Sequence, residues 1–185
     1  MPRAFIAIGS NIEPEQKVRR ALRLLARQVR VTAVSTVYRT AALGRPEQPA
    51  FFNCVVAVET ERPPHELKRA VLREIERQLG RIRSDDKYAP RTIDLDLIVY
   101  DDVVQTDDDL ALPDPEIERR PFLAIPLREL APDLTLPGSG RRIGDIAAAL
   151  VDQPMERLNE YTELLRREIA YGSGESEEPG AGAAG

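Results

Sequence analysis

The sequence predicts an α+β fold in which strands and helices follow one another in the order β-α-β-β-α-β. Four β-rich apolar segments lie at residues 3–8, 31–38, 51–60 and 92–100. Two segments with helical spacing of their apolar residues separate the first strand from the second and the third from the fourth. This order is typical of the ferredoxin-like fold, in which a mostly antiparallel sheet carries helices on one face.

The first strand and helix are predicted from a short apolar run and a helical stripe. Residues 3–8 (RAFIAI) end at Gly9-Ser10-Asn11, which favours a strand followed by a tight turn. A helix is predicted over residues 13–29 from the spacing of its apolar residues, and Pro14 fits because proline is tolerated near the start of a helix. The apolar residues at helical spacing are Val18, Ala21, Leu22, Leu25 and Val29.

The middle of the chain repeats this pattern. Residues 31–38 (VTAVSTVY) are rich in β-branched residues and predict one strand, and residues 39–50 contain the proline and glycine of a loop. After the strand at 51–60, Pro63-Pro64 opens a helix that ends at Gly80. Its predicted buried stripe is Leu67, Val71, Ile75 and Leu79. A charged loop follows, and then the strand at 92–100.

The C-terminal part adds helices to this frame. Helices are predicted over 120–130 and 143–150, and an amphipathic helix over 154–171. The apolar face of the last helix carries Met155, Leu158, Leu165 and Ile169, and we expect it to dock on the body or on a second copy of the chain. Residues 172–185 have the composition of a disordered tail. We therefore expect a body over 1–150, a helical extension over 151–171 and the tail.

Composition excludes several classes of protein. Hydrophobic residues make up 42% and charged residues 31%, as in globular proteins, and no apolar run is long enough to span a bilayer. The single cysteine, Cys54, excludes an intramolecular disulfide, and the N-terminus lacks the features of a secretory signal, so we expect a cytoplasmic protein. The net charge is −5, and three of the acids lie in the tail, so the rest of the chain is close to neutral. A near-neutral body gives no support to general binding of nucleic acid or a membrane, and neither is an expected partner.

Two carboxylates mark the strand at 92–100. Side chains alternate along a strand, so Ile93, Leu95, Leu97 and Val99 should face a core, while Asp94 and Asp96 face the other side, about 6.8 Å apart at Cα. A cation relieves the repulsion of such a pair, and oxygen ligands suit Mg²⁺ held together with phosphates. The alternative is a solvent-facing strand surface that happens to carry acids.

Arginines surround this strand. Arg81 and Arg83 lie upstream, and Arg91 immediately precedes the strand. Arginine side chains bind phosphate oxygens in a fork, so carboxylates beside arginines indicate phosphoryl transfer. The alternative is a solvated loop in which the arginines pair with Asp85 and Asp86, although exposed pairs of that kind contribute little stability.

The strand at 51–60 gives a second indication. Phe52, Cys54, Val56 and Val58 should share its core face, which leaves Phe51 and Asn53 on the other face with Val55 and Ala57. An amide offers both a donor and an acceptor, which suits the edge of a heterocycle, and an aromatic ring can pack beside it. The alternative is an asparagine that satisfies local backbone groups.

Four ordered segments give the chain a family resemblance over about residues 4–140. They are AFIAIGSN, STVYRTAALGRPEQPAFFN, GRIRSDDKYAPRTIDLDLIVYDD and LPDPEIERRPFLAIPLRELAPDL. The chain resembles the 6-hydroxymethyl-7,8-dihydropterin pyrophosphokinases of folate biosynthesis, and the third segment is the most specific. The resemblance implies transfer of the β,γ-pyrophosphate of ATP to the hydroxymethyl group of the dihydropterin, with AMP as the other product.

The resemblance also implies roles for individual residues. Asp94 and Asp96 would hold two Mg²⁺ ions, and Arg81 and Arg91 would grip the transferring phosphates. The ATP-binding set would be Glu76, Arg81, Arg83, Arg91, Asp114 and Arg120. The pterin-binding set would be Thr40, Ala41, Leu43, Phe51, Asn53, Tyr88 and Phe122. The loop at 81–90 would close over both substrates.

The chain departs from the family pattern in three motifs. The family motif L-P-H-P reads Leu112-Pro113-Asp114-Pro115, and Asp114 would repel ATP phosphate unless a metal or a base such as Arg119 bridges them. Ala41 stands where the family usually has proline, and Tyr88-Ala89-Pro90 replaces Trp-Gly-Pro. The only histidine, His65, lies elsewhere.

These departures leave alternatives. A weakened relative would bind pterin or ATP without efficient transfer, and turnover at saturating ATP distinguishes it. An interaction protein on the same frame predicts no Mg²⁺-dependent nucleotide binding. A metal-dependent phosphohydrolase would release phosphate from ATP without any pterin. The sequence leaves open whether the chain is a monomer or a homodimer.

Overall fold

A six-stranded antiparallel sheet forms the centre of the computed structural model, which describes residues 1–82 and 89–172. The strands are β1 (Arg3–Ser10), β2 (Arg30–Val34), β3 (Tyr38–Thr40), β4 (Phe51–Glu59), β5 (Asp94–Tyr100) and β8 (Glu156–Arg157). Their order is β5-β1-β4-β3-β8, and β2 also pairs with β4. A small hairpin is formed by β6 (Gln105–Thr106) and β7 (Ala111–Leu112). The expected order of strands and helices is confirmed.

Six α-helices accompany the sheet within the described ranges. They are α1 (Pro14–Ala26), α2 (Pro64–Glu66), α3 (Arg73–Gln78), α4 (Pro121–Leu130), α5 (Ile143–Ala149) and α6 (Asn159–Gly172). A π-helix over Leu67–Leu72 joins α2 to α3, and a 3₁₀-helix covers Pro115–Glu118. The predicted stripes of α1 and of the α2–α3 helix are buried. None of these helices combines the length and apolar character that crossing a bilayer requires.

Both faces of the sheet are covered, which corrects the expectation of helices on one face. The larger core lies between the sheet and helices α1, α3 and α6, and it includes Cys54, Val56 and Val58. The second core packs α4 and α5 against Val55 and Ala57. The predicted division of the β4 side chains between two faces is therefore confirmed, but apolar residues of α4 and α5 cover the face that was expected to be open.

A β-bulge in β5 makes the prediction for Val99 wrong. The register moves from Ile6 opposite Leu97 to Phe5 opposite Val99, so Ile98 is an extra residue. Leu95 and Leu97 face the larger core, whereas Ile98 and Val99 both face the second core. An extra residue shifts every later side chain to the other face. Asp94 and Asp96 precede the bulge and share one face, as predicted.

The predicted strand at 31–38 is two strands, β2 and β3, separated by residues 35–37. Ser35 Oγ accepts a hydrogen bond of 2.9 Å from Val55 N, so a side chain replaces a backbone partner there. The backbone N–H and C=O of Val37 bond instead to Thr162 Oγ1 and Leu158 N, near the C-terminus. Single-strand periodicity does not reveal these competing partners.

The C-terminal extension packs on the body, but its helix begins later than predicted. Glu156 and Arg157 form β8 against β3, so Met155 lies outside the helix. Leu165 is fully buried in the larger core, and Leu158 and Ile169 pack against that core. Docking on the body is the arrangement observed for the extension. Helix α6 ends at Gly172, and the rest of the predicted disordered tail, residues 173–185, lies outside the described ranges.

Candidate active site

A cavity of about 390 Å³ opens beside α4, where β1 ends and β4 and β5 begin. It brings together most of the predicted site residues. From the predicted pterin set it is lined by Thr40, Ala41, Leu43, Phe51, Asn53 and Phe122. From the predicted phosphate and metal sets it is lined by Arg91, Asp94, Asp96, Asp114 and Arg120. Arg83 and Tyr88 lie outside the described residues, and Glu76 and Arg81 stand outside the lining.

One wall of the cavity carries a fixed amide beside aromatic rings. Asn53 Nδ2 donates a hydrogen bond of 2.8 Å to Thr40 Oγ1, which orients the amide across the β3–β4 pair. Its Oδ1 lies against Gly9, where a Cβ atom would come within 2.7 Å of that oxygen. Phe51 and Phe122 enter the same space from β4 and α4. This wall suits a flat polar heterocycle.

A second wall of the cavity, on the β5 side of Gly9, carries an ionic network that reaches into the core. Asp94 bonds to Arg81 through one carboxylate oxygen and to Arg91 through the other. Arg81 also bonds to Glu76, which is buried and accepts a 2.9 Å hydrogen bond from Leu95 N. Burial lowers the pKa of Arg81, but Asp94 and Glu76 more than offset it, so this guanidinium stays charged. Glu76 therefore positions Arg81 rather than facing the cavity.

Asp96 is the unrelieved charge of this wall. Its side chain is open to solvent through the cavity, yet protein encloses its other sides, and this desolvation raises the pKa of Asp96 to about 7. The carboxylates of Asp94 and Asp114 contribute to this rise in the pKa, and Arg81 opposes it. Within the described ranges its oxygens accept no hydrogen bond. A cation placed here would remove an unfavourable interaction.

Asp114 faces the same cavity but is held by its own turn. Its Oδ1 accepts a hydrogen bond of 2.8 Å from Glu116 N and so caps the 3₁₀-helix. Burial raises the pKa of Asp114. The suggested partner Arg119 lies near Glu116 instead, at 3.6 Å, and Arg120 Nε donates to Glu116 at 2.6 Å. No arginine among the described residues bridges Asp114.

Sequence reasoning assigned only a tight turn to Ser10 and Asn11, which in the structure organise the site. Asn11 Oδ1 accepts a 2.8 Å hydrogen bond from Arg91 N, and its Nδ2 donates to Pro49 O at 3.2 Å. Ser10 Oγ donates to Thr92 O at 2.6 Å. Both residues are buried, and together they join the segment that contains Arg91 and Thr92 to the loop before β4. Two polar residues directly after a buried strand were the available signal.

Comparison with known proteins identifies the family of the chain that forms this cavity. A family model described as 7,8-dihydro-6-hydroxymethylpterin-pyrophosphokinase (HPPK) matches residues 5–132. The 2-amino-4-hydroxy-6-hydroxymethyldihydropteridine pyrophosphokinase of Pseudomonas aeruginosa is 38% identical over 159 residues, which cover 84% of this chain and 96% of that relative. The chain belongs to the HPPK family. The predicted family resemblance is confirmed.

Longer proteins contain segments similar to this HPPK chain. The folic acid synthesis protein fol1 of Schizosaccharomyces pombe is 33% identical over 173 residues, which cover 92% of this chain but 23% of that protein. A crystal structure of Plasmodium falciparum HPPK-DHPS superimposes with a TM-score of 0.65 at 12% identity, over 82% of this chain and 46% of that one. At this identity the superposition supports the HPPK fold alone, and the expected α+β class is confirmed.

The carboxylates of this HPPK cavity fit a metal that is shared with a ligand. No group of three or more His, Cys, Asp or Glu side chains in residues 1–82 and 89–172 is arranged to enclose a metal ion. Mg²⁺ commonly binds through one or two carboxylates together with substrate phosphates and water. Asp96 offers oxygens that accept no hydrogen bond from the described residues, and Asp94 offers oxygens that it shares with two arginines. The residues therefore suit Mg²⁺ delivered with a polyphosphate.

Proposed function

We propose that this HPPK transfers the β,γ-pyrophosphoryl group of ATP to the hydroxymethyl group of 6-hydroxymethyl-7,8-dihydropterin in folate biosynthesis. The observation that carries the proposal is the two-walled cavity. One wall presents the Asn53 amide and two aromatic rings, and the other presents Asp94, Asp96 and Arg91. A heterocycle bound at the first wall directs its substituent toward a polyphosphate bound at the second. This juxtaposition is what a transfer between two bound substrates requires.

On the phosphate wall, each charged residue has a distinct task. Asp94 and Asp96 would hold two Mg²⁺ ions, which supply charge neutralisation to the bound triphosphate. Arg91, at the cavity surface, and Arg81, fixed by Glu76 and Asp94, place positive charge where negative charge develops during transfer. Arg120 lines the side nearer α4 and would contact the nucleotide phosphates.

On the acceptor wall, the Asn53 amide would read the polar edge of the pterin. Because its Nδ2 is committed to Thr40 Oγ1, the amide keeps a defined orientation before the substrate arrives. Phe51 and Phe122 would enclose the ring, and the backbone of residues 40–43 would bind its edge. A pre-oriented site loses less entropy on binding.

The cellular setting belongs to the same proposal. The enzyme would act on two small molecules, with no nucleic acid or membrane as a partner, and in the cytoplasm, where ATP is supplied. Apart from the acidic tail the net charge is close to zero, which gives no support to general binding of a polyanion.

An assay of AMP release tests the proposed reaction. Purified protein is supplied with ATP and Mg²⁺, with and without the hydroxymethyl-dihydropterin, and AMP and phosphate are both measured. We expect AMP only when the pterin is present. Phosphate release without pterin would indicate a phosphohydrolase instead. Binding of both ligands without AMP would indicate the weakened relative.

Gly9→Ala should weaken pterin binding. The new Cβ would meet Asn53 Oδ1 at 2.7 Å, a distance that real Cβ contacts do not show, so the amide must move and strain its bond to Thr40. We expect the KM for pterin to rise about tenfold, equivalent to about 1.4 kcal/mol, with the KM for ATP within twofold. Gly144→Ala on α5 is the matched control, because its Cβ meets no atom within 4 Å. An unchanged pterin KM would mean that the Asn53 amide does not bind the edge of the pterin.

Asp114→Asn should tighten ATP binding. The change removes a negative charge beside the proposed polyphosphate site, whereas asparagine still accepts the Glu116 N–H bond that caps the 3₁₀-helix. We expect the Kd for Mg²⁺–ATP to fall about three- to tenfold in calorimetric titration. Glu118→Gln is the control, because it removes an equal charge outside the cavity lining. Weaker ATP binding would show instead that the Asp114 carboxylate helps to hold the metal–nucleotide complex.

A further inference from the structure

The C-terminal segment, defined here as residues 156–169, completes the edge of the sheet next to the acceptor wall. Val37 N donates a 2.9 Å hydrogen bond to Thr162 Oγ1, and Val37 O accepts one of 2.8 Å from Leu158 N. Both backbone groups of this fully buried residue therefore depend on the C-terminal segment. The adjoining β3 is only three residues long and pairs with β8 on its outer side. Without this segment, β3 would be a short open edge.

A polar network extends this anchoring to α4. Tyr38 of β3 donates through its hydroxyl to Glu129 of α4, and Thr36 N donates to the same carboxylate at 2.8 Å. Arg157 of the C-terminal segment donates to Tyr38 Oη at 3.2 Å and to Thr36 Oγ1 at 3.0 Å. Its guanidinium also lies 5.6 Å from the centre of the Tyr38 ring. The segment thus braces the contact between β3 and α4.

Both braced elements lead directly to acceptor-wall residues. Two residues beyond Tyr38, Thr40 accepts the hydrogen bond that orients Asn53. Helix α4 carries Phe122 near its start. On β4, the ring of Phe52 contacts Tyr161 of the C-terminal segment edge-on, with ring centres 5.6 Å apart, and Phe52 lies between Phe51 and Asn53. All of these contacts lie toward the β3–β8 edge of the sheet, whereas the carboxylates of the phosphate wall lie on β5 at the other edge.

We infer that the C-terminal segment is a positioning element for the acceptor, in which Arg157 and Thr162 set pterin affinity without touching the substrate. This role rests on the proposed function. It concerns residues beyond the 5–132 range that the family model matches. Because the anchored elements hold Thr40, Asn53 and Phe122, loosening them should affect pterin more than ATP. The proposed ATP contacts come from β5, Arg81, Arg91 and Arg120, and only Arg120 among them lies at the start of α4.

Thr162→Val and Arg157→Ala test this role by steady-state kinetics of the full chain. Valine keeps the shape of threonine but removes the acceptor for Val37 N–H. We expect each variant to raise the KM for pterin at least fivefold, with kcat and the KM for ATP within twofold. Thr162→Ser keeps the hydroxyl and should restore the pterin KM. Arg167→Ala, an exposed change on the same helix, is the control.

The outcomes separate this inference from the proposed reaction. A lower melting temperature with an unchanged pterin KM, measured well below that temperature, would overturn the positioning role and leave a structural one. Equal losses for pterin and ATP would also overturn it. If the wild-type chain forms AMP and these variants match it, the inference alone fails. If the wild-type chain forms no pterin-dependent AMP, the proposed reaction fails first and the inference with it.

Discussion

Asp96→Asn should reduce turnover by about 10³-fold or more while leaving the protein folded. The substitution preserves side-chain shape but removes the charge that a divalent cation would neutralise, and metal-stabilised phosphoryl transfer depends on that charge. Asp96 is suited to this role because its oxygens accept no hydrogen bond within the described ranges, whereas Asp94 is already bound by two arginines. The measurement is AMP formation at saturating pterin over a range of Mg²⁺ concentrations.

The control for this prediction is Asp108→Asn, which removes an exposed carboxylate outside the cavity lining. It should retain wild-type turnover. If Asp96→Asn also turned over normally, the assignment of Asp96 as a metal ligand would be wrong. Partial activity that excess Mg²⁺ restores would support the assignment, because it would mean that the variant binds metal more weakly.

The same substitution should stabilise the metal-free protein above pH 7. The pKa of Asp96 is raised from 3.8 to about 7 in the folded state, so in the wild type stability falls as pH rises from about 4 to 7. Asparagine does not ionise, and it escapes this loss. Because the carboxylate is open to solvent, screening discounts most of the shift, and we expect about 1 kcal/mol. Melting temperatures should differ by about 2–4 °C at pH 8 and converge near pH 4.

Much of the site was predictable because it is encoded in local patterns. Alternation along one strand placed Asp94 and Asp96 on a common face, and alternation along another separated Asn53 from the core-facing Cys54. The order of strands and helices then determined that these two faces meet at the same end of the sheet. Period-two reasoning is reliable where a strand is regular and one face is clearly apolar.

The features that sequence reasoning missed arise from partners far apart in the chain. The bulge at Ile98 is a mismatch between two paired strands, which a single strand does not encode. The break between β2 and β3 depends on Thr162 and Leu158, more than 100 residues away. Glu76 was assigned to ATP and stands outside the cavity lining, and its buried bonds to Arg81 and Leu95 are contacts that only the packed structure reveals.

Arg81→Leu should damage both stability and turnover. Arg81 is the cation between Glu76 and Asp94, whose side chains are only 4% and 11% exposed. Removing one partner of a buried ionic network leaves uncompensated charge, which costs about 3 kcal/mol. We expect the melting temperature to fall by about 6–12 °C and turnover to fall by about 10²–10³-fold. Thermal unfolding and AMP formation at 15 °C measure the two effects separately.

A second variant separates the structural role of Arg81 from its chemical role. Adding Glu76→Gln to Arg81→Leu removes the buried negative charge that Arg81 balanced, while the amide oxygen can still accept the bond from Leu95 N and Asp94 keeps its bond to Arg91. The double variant should regain part of the lost melting temperature and none of the turnover. Arg77→Leu, an exposed change on the helix that carries Glu76, should alter neither the melting temperature nor the turnover. Recovered turnover in the double variant would mean that Arg81 acts only by balancing Glu76, and that Arg91 alone serves the transferring phosphates.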